Sequence, residues 1–429
     1  MASVSTFGVR GMIAMATAPA VVVFLSSNLV NVGNLAFNMI FSRLMGPELF
    51  GTLALLLTIK LALLGITGAI QMAVSQMVAS CNQEERPAVE QALSRINRLL
   101  FLGVCILGSS LTASFMLDGT VGARLSPTEP HLLALLLISM PFGASLSVLR
   151  GVAFGDMKTG RIVLSANVEM AVRLVGALIA WALGFGIEGV VIAISLSIFA
   201  GWAVLYDLLP VSESGTKIEG YSKILGLAAI PFAILQLTQV IALDGDIFIA
   251  KALFSDSEVG FVGALSLFQR IQFFACFALA GVLLPRVVKA AQAGDNILMA
   301  ALPVFIIFAA ASVVALSAAL VAPEVLIKIL VGSAYLPAAT VLHITVIAAI
   351  FFTFNYLVVT VMIAVRDNLG IALIATGVAV QFAFMALSDP SGFAELVAIK
   401  AVCQAFIAVT LVFRVFPRNS LSASLYSTK

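Results

Sequence analysis

Four basic side chains lie inside long apolar segments of the sequence, where an uncompensated charge is costly. They are Lys60, Arg173, Arg270 and Lys400. Lys60, Arg173 and Arg270 lie about ten residues into their segments and Lys400 about seven. At about 1.5 Å per helical residue these depths are about 10–15 Å, toward mid-bilayer. Ionisable groups at that depth usually face a cavity or a partner, and guanidinium and ammonium groups suit phosphate oxygens. The four side chains therefore predict a cationic site for an anionic substrate.

Lys60 and Arg270 occupy nearly equivalent places in the second and eighth apolar segments. They predict a pair that clamps an anion from two sides. The other two cations have competing structural explanations. Glu169 precedes Arg173 by four residues, a spacing that allows an ion pair on one helix face. Lys400 could extend its stem toward the membrane surface instead.

A stripe of polar residues follows one face of the first apolar segment at helical spacing. Its members are Ser27, Asn31, Asn34, Asn38 and Ser42, and Gln236, Gln239 and Asp246 repeat part of it in the seventh segment. Amides that face lipid would lack hydrogen-bond partners, so the stripe must face protein or water. It indicates either interhelical hydrogen bonding or a cavity wall that binds sugar hydroxyls. The repetition in the seventh segment favours the wall.

Three acidic residues are candidates for coupling transport to a proton or another cation. They are Asp244, Asp246 and Glu169. Asp244 and Asp246 lie near the outer end of the seventh segment. The competing interpretation of that pair is an interfacial helix end close to Lys251.

The elements that position these side chains follow from composition. The chain has 429 residues, of which 62% are hydrophobic and 10% charged, and its mean hydropathy is +1.14. Soluble domains are about 45–50% apolar and about 25% charged. About 20 helical residues cross the hydrocarbon layer, and apolar stretches of that length predict an all-α membrane protein with about twelve transmembrane helices. The predicted spans are 14–41, 50–79, 98–117, 131–153, 162–183, 187–208, 224–249, 259–285, 297–321, 338–361, 370–388 and 393–414.

The distribution of basic residues predicts the orientation. Fifteen Lys and Arg lie in the segments on the N-terminal side of the membrane and four on the opposite side. Cytoplasmic loops carry the excess of Lys and Arg, so both termini are expected in the cytoplasm. The apolar run from Met12 to beyond Met39 is too long for a signal-peptide core, so the first helix is expected to be retained. Asn82–Asn97 mixes acidic, basic and apolar residues and predicts a short amphipathic surface helix.

The chain also indicates an internal duplication. Phe41–Gly51 aligns with Ile249–Gly260, and the polar positions before them match at a constant spacing. Because six spans per half is an even number, the halves have the same orientation, which is the arrangement of parallel-repeat transporters. We expect an N-terminal six-helix lobe (1–208), a cytoplasmic linker (209–223) and a C-terminal six-helix lobe with a short tail (224–429).

Several classes of function have no support in the sequence. A net charge of +2 with no basic arm argues against a nucleic-acid partner. Cys81, Cys105, Cys276 and Cys403 form no CxxC pair and the two histidines are distant, so neither a metal site nor a disulfide framework is expected. The sequence has no phosphate-binding GxxxxGK[ST] motif, and we expect no cofactor and no catalytic residues.

Asn38–Gly51 (NMIFSRLMGPELFG) resembles a known family. It is similar to the first loop of polysaccharide flippases of the multidrug, oligosaccharidyl-lipid and polysaccharide exporter superfamily, which typically reads S-R-x-L-G-P-x-x-F/Y-G. Here Ser42–Gly51 has the same spacing as that pattern, with Met45 at its leucine position. Ala322–Pro337 and Leu284–Arg286 are similar to later loops of the family.

The resemblance implies a two-lobed transporter of the bacterial inner membrane that works by alternating access. Such proteins move an undecaprenyl-pyrophosphate-linked oligosaccharide to the periplasmic face for O-antigen, capsule or exopolysaccharide synthesis. The expected partners are the lipid-linked anionic glycan, membrane lipids, and glycosyltransferases and a polymerase of the same pathway. An ion gradient or consumption of the product outside could supply the energy. In this interpretation the pyrophosphate engages Lys60 and Arg270, and the glycan lies against the Asn and Gln stripes.

Two other functions compete with a flippase. A multidrug or organic-cation antiporter of the same superfamily would need acidic groups in its cavity, whereas cations dominate here. A membrane-embedded glycan polymerase would need a large periplasmic loop, and the longest predicted outer loop has about 16 residues.

Overall fold

The described part of the chain is entirely helical in its regular structure. In the computed structural model, the described residues are 19–117, 130–209, 219–365, 367 and 369–415. The predicted cytoplasmic termini lie outside these ranges, and the predicted linker 209–223 lies largely outside them. The helices are α1 (Pro19–Ser80), α2 (Arg86–Leu117), α3 (Pro130–Leu137), α4 (Met140–Gly155), α5 (Thr159–Ala182), α6 (Gly186–Ala203), α7 (Glu219–Leu253), α8 (Asp256–Ala293), α9 (Ile297–Val321), α10 (Pro323–Leu330), α11 (Leu342–Ala364), α12 (Leu369–Leu387) and α13 (Phe393–Val415). Short 3-10 helices at Tyr206–Leu208 and Ser333–Val341 follow α6 and α10.

Helix α1 contains two membrane spans joined by a sharp break. At Gly46 the backbone has φ 69° and ψ 176°, a region open mainly to glycine, and Pro47 has no N–H to continue the hydrogen-bond ladder. We call residues 19–45 α1a and residues 47–80 α1b. By length and composition, eleven helices in the described ranges could cross a membrane, with α1 counted once. Dividing α1 at Gly46 confirms the predicted all-α fold of about twelve spans.

The start of α2 differs from the prediction. A separate surface helix was expected over Asn82–Asn97, but α2 runs from Arg86 through the third span without interruption. Arg86 donates hydrogen bonds to Glu90 at 2.7 Å and to Asp156 in the turn after α4. Burial raises the pKa of Asp156, but hydrogen bonds from Lys158 and Arg86 outweigh that effect and hold the pKa below its usual value. The turn after α4 is thereby tied to α2 by charge.

The described residues divide into two compact units. The N-terminal unit comprises the described parts of Met1–Phe37 and Leu63–Ala233, and the C-terminal unit those of Asn38–Ala62 and Ile234–Lys429. The division differs from the predicted lobe boundaries chiefly because the middle of α1 packs with the C-terminal helices.

In the N-terminal unit, α1b and α4 lie unusually close together. A β-carbon on Gly151 would lie 2.7 Å from the Gln71 carbonyl oxygen and from the Val74 side chain. Val74 and Val148 belong to an apolar cluster that also includes Leu93 of α2 and Leu225 of α7. This approach places the end of α4 directly beside α1b.

In the C-terminal unit, the segment around the α1 break packs on α8. Gly51 and Gly260, aligned by the sequence duplication, face each other: a β-carbon on Gly51 would lie 2.8 Å from the Gly260 nitrogen, and one on Gly260 would overlap the Pro47 carbonyl. The Phe50 ring meets the Tyr335 ring edge-on at 6.0 Å. Tyr335 is fully buried and donates a hydrogen bond to the carbonyl oxygen of Ser42 at 3.0 Å. The two segments that carry the family resemblance, Asn38–Gly51 and Ala322–Pro337, therefore contact each other.

We expect Gly260→Ala to destabilise the protein, because its β-carbon would overlap backbone atoms that cannot rotate away. Overpacking of this kind costs about 1–3 kcal/mol. Thermal unfolding of the detergent-solubilised protein should therefore begin several degrees lower. Gly281→Ala on the same helix is the matched control, since its β-carbon would meet nothing within 4 Å. Equal melting temperatures for the two variants would contradict the close crossing.

Candidate functional site

The polar stripe of α1a is divided between exposed and buried surroundings. Ser27 and Asn31 are exposed, whereas Asn38 and Ser42 are buried. Asn34, in the middle, accepts a hydrogen bond from the Arg173 guanidinium on α5. Ser42 donates to the Val331 carbonyl oxygen at 3.4 Å. At Asn34 and Ser42 the structure thus shows the interhelical bonding that was one of the two sequence interpretations.

Arg173 is oriented by neutral groups of α1a. Besides its bond to Asn34, its guanidinium carbon lies 5.9 Å from the centroid of the Phe37 ring, a distance typical of a cation–π contact. Glu169, four residues before Arg173, accepts from Arg150 of α4 at 2.9 Å, because α4 places a guanidinium across the helix interface. The i,i+4 pair of Glu169 with Arg173 stays a prediction.

Arg150 is a functional candidate that sequence reasoning missed. Arg150 lies near the end of the fourth predicted span, five residues before the end of α4, where basic residues commonly face the membrane surface. Its side chain is nevertheless only 19% exposed and bonds both Ser165 and Glu169. The sequence signal was Glu169, a carboxylate within an apolar segment, which needs basic partners there.

In the C-terminal unit, Arg270 of α8 is paired with Asp244 of α7. The Nε and Nη2 atoms of Arg270 both lie 2.9 Å from Asp244 Oδ1. The Arg270 side chain is 17% exposed, whereas the Asp244 side chain is 3% exposed. An incoming anion could therefore reach the arginine more easily than an incoming cation could reach the aspartate.

Lys400 of α13 forms a second, fully buried pair with Asp246. Its Nζ donates to Asp246 Oδ2 and to the Leu243 carbonyl oxygen, both at 2.8 Å. The side chains are 1% and 0% exposed, so Lys400 does not extend to the membrane surface. Asp244 and Asp246 pair with Arg270 and Lys400, whereas Lys251 pairs with Asp256. The extension of Lys400 to the membrane surface was wrong, and an interfacial position for the two aspartates stays a prediction.

None of the hydrogen bonds described above connects the remaining predicted residues to the Arg270–Asp244 or Lys400–Asp246 pair. Lys60 of α1b is 3% exposed within the C-terminal unit. Gln236 and Gln239 are half-buried on α7. The proposed clamp of Lys60 with Arg270 stays a prediction, and so does the glutamine part of the sugar-binding wall.

An amide network next to Lys400 was not anticipated from the sequence. Asn355 of α11 donates to Gln404 Oε1 of α13 at 3.0 Å, and Gln404 donates to Gln381 Oε1 of α12 at 2.6 Å. All three side chains are at most 1% exposed. One amide on each of the last three spans was the available signal, and its interhelical role is the usual one for buried amides.

The fold is similar to that of several solved transporters. An inward-facing multidrug resistance MATE family transporter of the MOP superfamily aligns with a TM-score of 0.78 at 15% identity, over 93% of this chain and 96% of that one. The lipid II flippase MurJ, in an inward closed conformation, gives 0.71 at 12% identity over 93% and 90% of the chains. A MOP superfamily transporter from Pyrococcus furiosus, described as having a binding pocket of reverse polarity, gives 0.61 at 14% identity over 95% of both. These likenesses confirm the predicted fold class.

Comparisons of the sequence do not assign the chain to a family. No protein-family model matches the chain, and no curated protein matches it.

We expect Asp246→Asn to destabilise the protein strongly, because it leaves the Lys400 ammonium buried without its counter-charge. Removing one partner of a buried ion pair costs about 3–5 kcal/mol. The double variant Asp246→Asn/Lys400→Met should recover most of the loss, and thermal unfolding in detergent measures both.

Lys328→Met is the control for loss of a lysine. The Lys328 side chain is 51% exposed and its pair with Glu324 lies at the surface, so its removal strands no buried charge. It should leave the melting temperature unchanged. A double variant no more stable than Asp246→Asn would show that the two charges do not depend on each other.

Proposed function

We propose that this protein is a flippase for a lipid-linked oligosaccharide. It carries a polyprenyl-pyrophosphate-linked glycan from the cytoplasmic to the periplasmic leaflet of a bacterial inner membrane by alternating access, for surface polysaccharide synthesis. The similar fold of MurJ, a lipid II flippase, supports transport of a lipid-linked substrate by this architecture.

The observation that carries the proposal is that each acidic candidate is already paired with a basic side chain. Glu169, Asp244 and Asp246 are each held by a basic side chain at 2.8–2.9 Å. An organic cation would have to compete with a resident guanidinium or ammonium for each of them. Lys60 and Arg173 add two further positive charges, so the balance favours an anionic substrate.

Arg270 is the cation best suited to receive the pyrophosphate. It is more exposed than its partner Asp244, and a guanidinium can bind phosphate oxygens in the same bidentate geometry as a carboxylate. In this proposal Asp244 holds the guanidinium in place until the substrate arrives, which avoids leaving a bare charge in the membrane. Arg173, oriented by Asn34 and Phe37, is a second phosphate ligand in the N-terminal unit.

The glycan would be bound by neutral polar groups. Asn31 is exposed on α1a, and Gln236 and Gln239 are half-buried on α7. Such amides can both donate to and accept from sugar hydroxyls. Glycosyltransferases and a polymerase of the same pathway would supply and consume the substrate.

The competing candidate is a multidrug antiporter. It is favoured by the likeness to the multidrug resistance MATE transporter, with a TM-score of 0.78. In that function Asp244 would be the site of the cationic drug or the coupling ion. The Pyrococcus furiosus transporter, whose binding pocket is described as having reverse polarity, has a similar fold. The fold by itself therefore does not decide between a cationic and an anionic substrate.

Replacing both members of the Arg270–Asp244 pair separates the two candidates. In a strain that lacks the protein and accumulates lipid-linked glycan, we expect Arg270→Gln/Asp244→Asn to restore flipping at least about tenfold less well than wild type. Loss of one hydrogen bond to a charged group costs about 1.5–3 kcal/mol. The double variant is neutral, so it does not strand a buried charge.

The single variant Asp244→Asn is the matched comparison for the double variant, and both are assayed at the protein level of the wild type. A flippase should keep flipping with this variant, since Arg270 remains able to bind phosphate. A drug antiporter should lose drug resistance with Asp244→Asn and leave surface glycan unchanged. Full flipping by the double variant would remove Arg270 from the proposal.

A further inference from the structure

The N-terminal unit contains a small cavity that the proposed phosphate ligands do not use. Its volume is about 180 Å³, and it lies among α1a, α1b, α4 and α5. The lining side chains that matter here are Ser26, Ser27, Gln71, Arg150 and Phe154. Pockets for drug-sized ligands measure roughly 300–1,000 Å³, so this cavity suits something smaller.

The guanidinium in this cavity is already neutralised. Arg150 donates through Nε and Nη2 to Ser165, and through Nη2 to Glu169 at 2.9 Å. Within the described residues, none of its hydrogen bonds uses Nη1. Because Glu169 balances the charge, the cavity offers directed donors without a net positive charge. A neutral polar ligand fits that wall better than a phosphate does.

The opposite walls offer both hydrogen bonding and an apolar face. Ser26 accepts a hydrogen bond from Asn167 Nδ2 at 2.6 Å, which leaves its own hydroxyl hydrogen available for a ligand acceptor. Gln71 can donate and accept, and the Phe154 ring is 36% exposed. Hydroxyls and an amide beside an aromatic ring match a sugar, which presents hydroxyl groups at its edge and C–H bonds on its face.

Asn167 of α5 holds two residues of the wall in place. It donates through Nδ2 to the Ser26 hydroxyl at 2.6 Å and to the Val163 carbonyl oxygen at 2.8 Å, and both of these residues line the cavity. Asn167 itself does not line the cavity, so its contribution to the wall is to fix the position of the Ser26 hydroxyl.

The position of the cavity agrees with an entry site. Arg150 and Phe154 lie in the last turns of α4, which is followed by Lys158 and Arg161 on the side of the membrane rich in basic residues. That side is the cytoplasmic one by the positive-inside rule. A lipid-linked glycan would meet this cavity as it enters from the inner leaflet.

We propose that this cavity is a monosaccharide subsite, which binds one neutral sugar of the glycan on the cytoplasmic side before translocation. The proposal rests on the proposed function for its biological substrate. It explains how a carrier could select a glycan independently of the pyrophosphate that all such lipids share. The phosphate ligands then provide affinity, and this subsite provides selectivity.

Saturation-transfer NMR on the full-length protein tests the subsite. The protein is placed in lipid nanodiscs, because sugar-based detergents would compete, and is mixed with the methyl glycosides of glucose, galactose, N-acetylglucosamine and rhamnose. At least one should receive saturation from the wild-type protein. Gln71→Met should weaken that signal about fivefold, the loss expected for one hydrogen bond of about 1 kcal/mol. Phe154→Leu should weaken it by a similar factor, because the sugar loses the flat aromatic face on which its C–H bonds pack.

Phe185→Leu is the matched control, because Phe185 is 62% exposed and lies outside the cavity. It should bind the sugar as wild type does. No saturation of any of the four glycosides, or equal signals from Phe154→Leu and Phe185→Leu, would overturn the subsite.

The flippase proposal is tested separately by the complementation assay with the Arg270 and Asp244 variants. If that assay supports flipping and no sugar binds, the subsite alone is wrong. If sugars bind as expected and flipping is not restored by the wild-type protein, the cavity remains a sugar site and the flippase function is wrong.

Discussion

The protein itself must balance every charge and hydrogen-bond every amide that is buried among the membrane helices, because lipid offers neither water nor counter-ions. The Lys400–Asp246 pair, with both side chains at most 1% exposed, shows how this requirement connects helices. Asp244 and Asp246 lie on α7, and their partners come from α8 and α13. The amides of Asn355, Gln381 and Gln404 add bonds among α11, α12 and α13. Since lipid tails are as apolar as the helices, these bonds and close packing replace the hydrophobic effect that associates helices in water.

Helices approach each other most closely where glycine leaves no side chain between their backbones. Gly51 and Gly260 allow the backbones of α1b and α8 to touch, and the kink at Gly46 and Pro47 brings α1b to that position. Tyr335 completes the contact through its ring on Phe50 and its hydrogen bond to Ser42. The residues of the flippase-like loop are therefore explained by packing and chain reversal. Their resemblance to the family concerns architecture and carries no direct information about the substrate.

The two units present different chemistry to a substrate. In the C-terminal unit, Arg270 is charged, partly exposed and held by a carboxylate that phosphate could displace. In the N-terminal unit, Arg150 is balanced by Glu169 and lies in a small cavity with hydroxyl, amide and aromatic walls. A lipid-linked glycan has one strongly anionic part and one neutral part. The proposed function assigns the first to Arg270 and Arg173, and the inferred subsite assigns part of the second to the Arg150 cavity.

The sequence by itself determined the membrane class, about twelve spans and an interruption between residues 41 and 50, because bilayer thickness sets span length. The structure placed that break at Gly46, where only glycine readily adopts the backbone angles. It also identified Lys60, Arg173, Arg270 and Lys400, since a charge within an apolar run stands out without any structure. Only the tertiary structure decided their partners. Arg270 and Asp244 are 26 residues apart, and Lys400 and Asp246 are 154 apart. The i,i+4 rule suggested Arg173 as the partner of Glu169, and it could not show that Arg150 on another helix bonds that carboxylate. Helical periodicity establishes which residues share a face, but packing between helices determines which faces meet, and the buried ion pairs of Arg270 and Lys400 form across those interfaces.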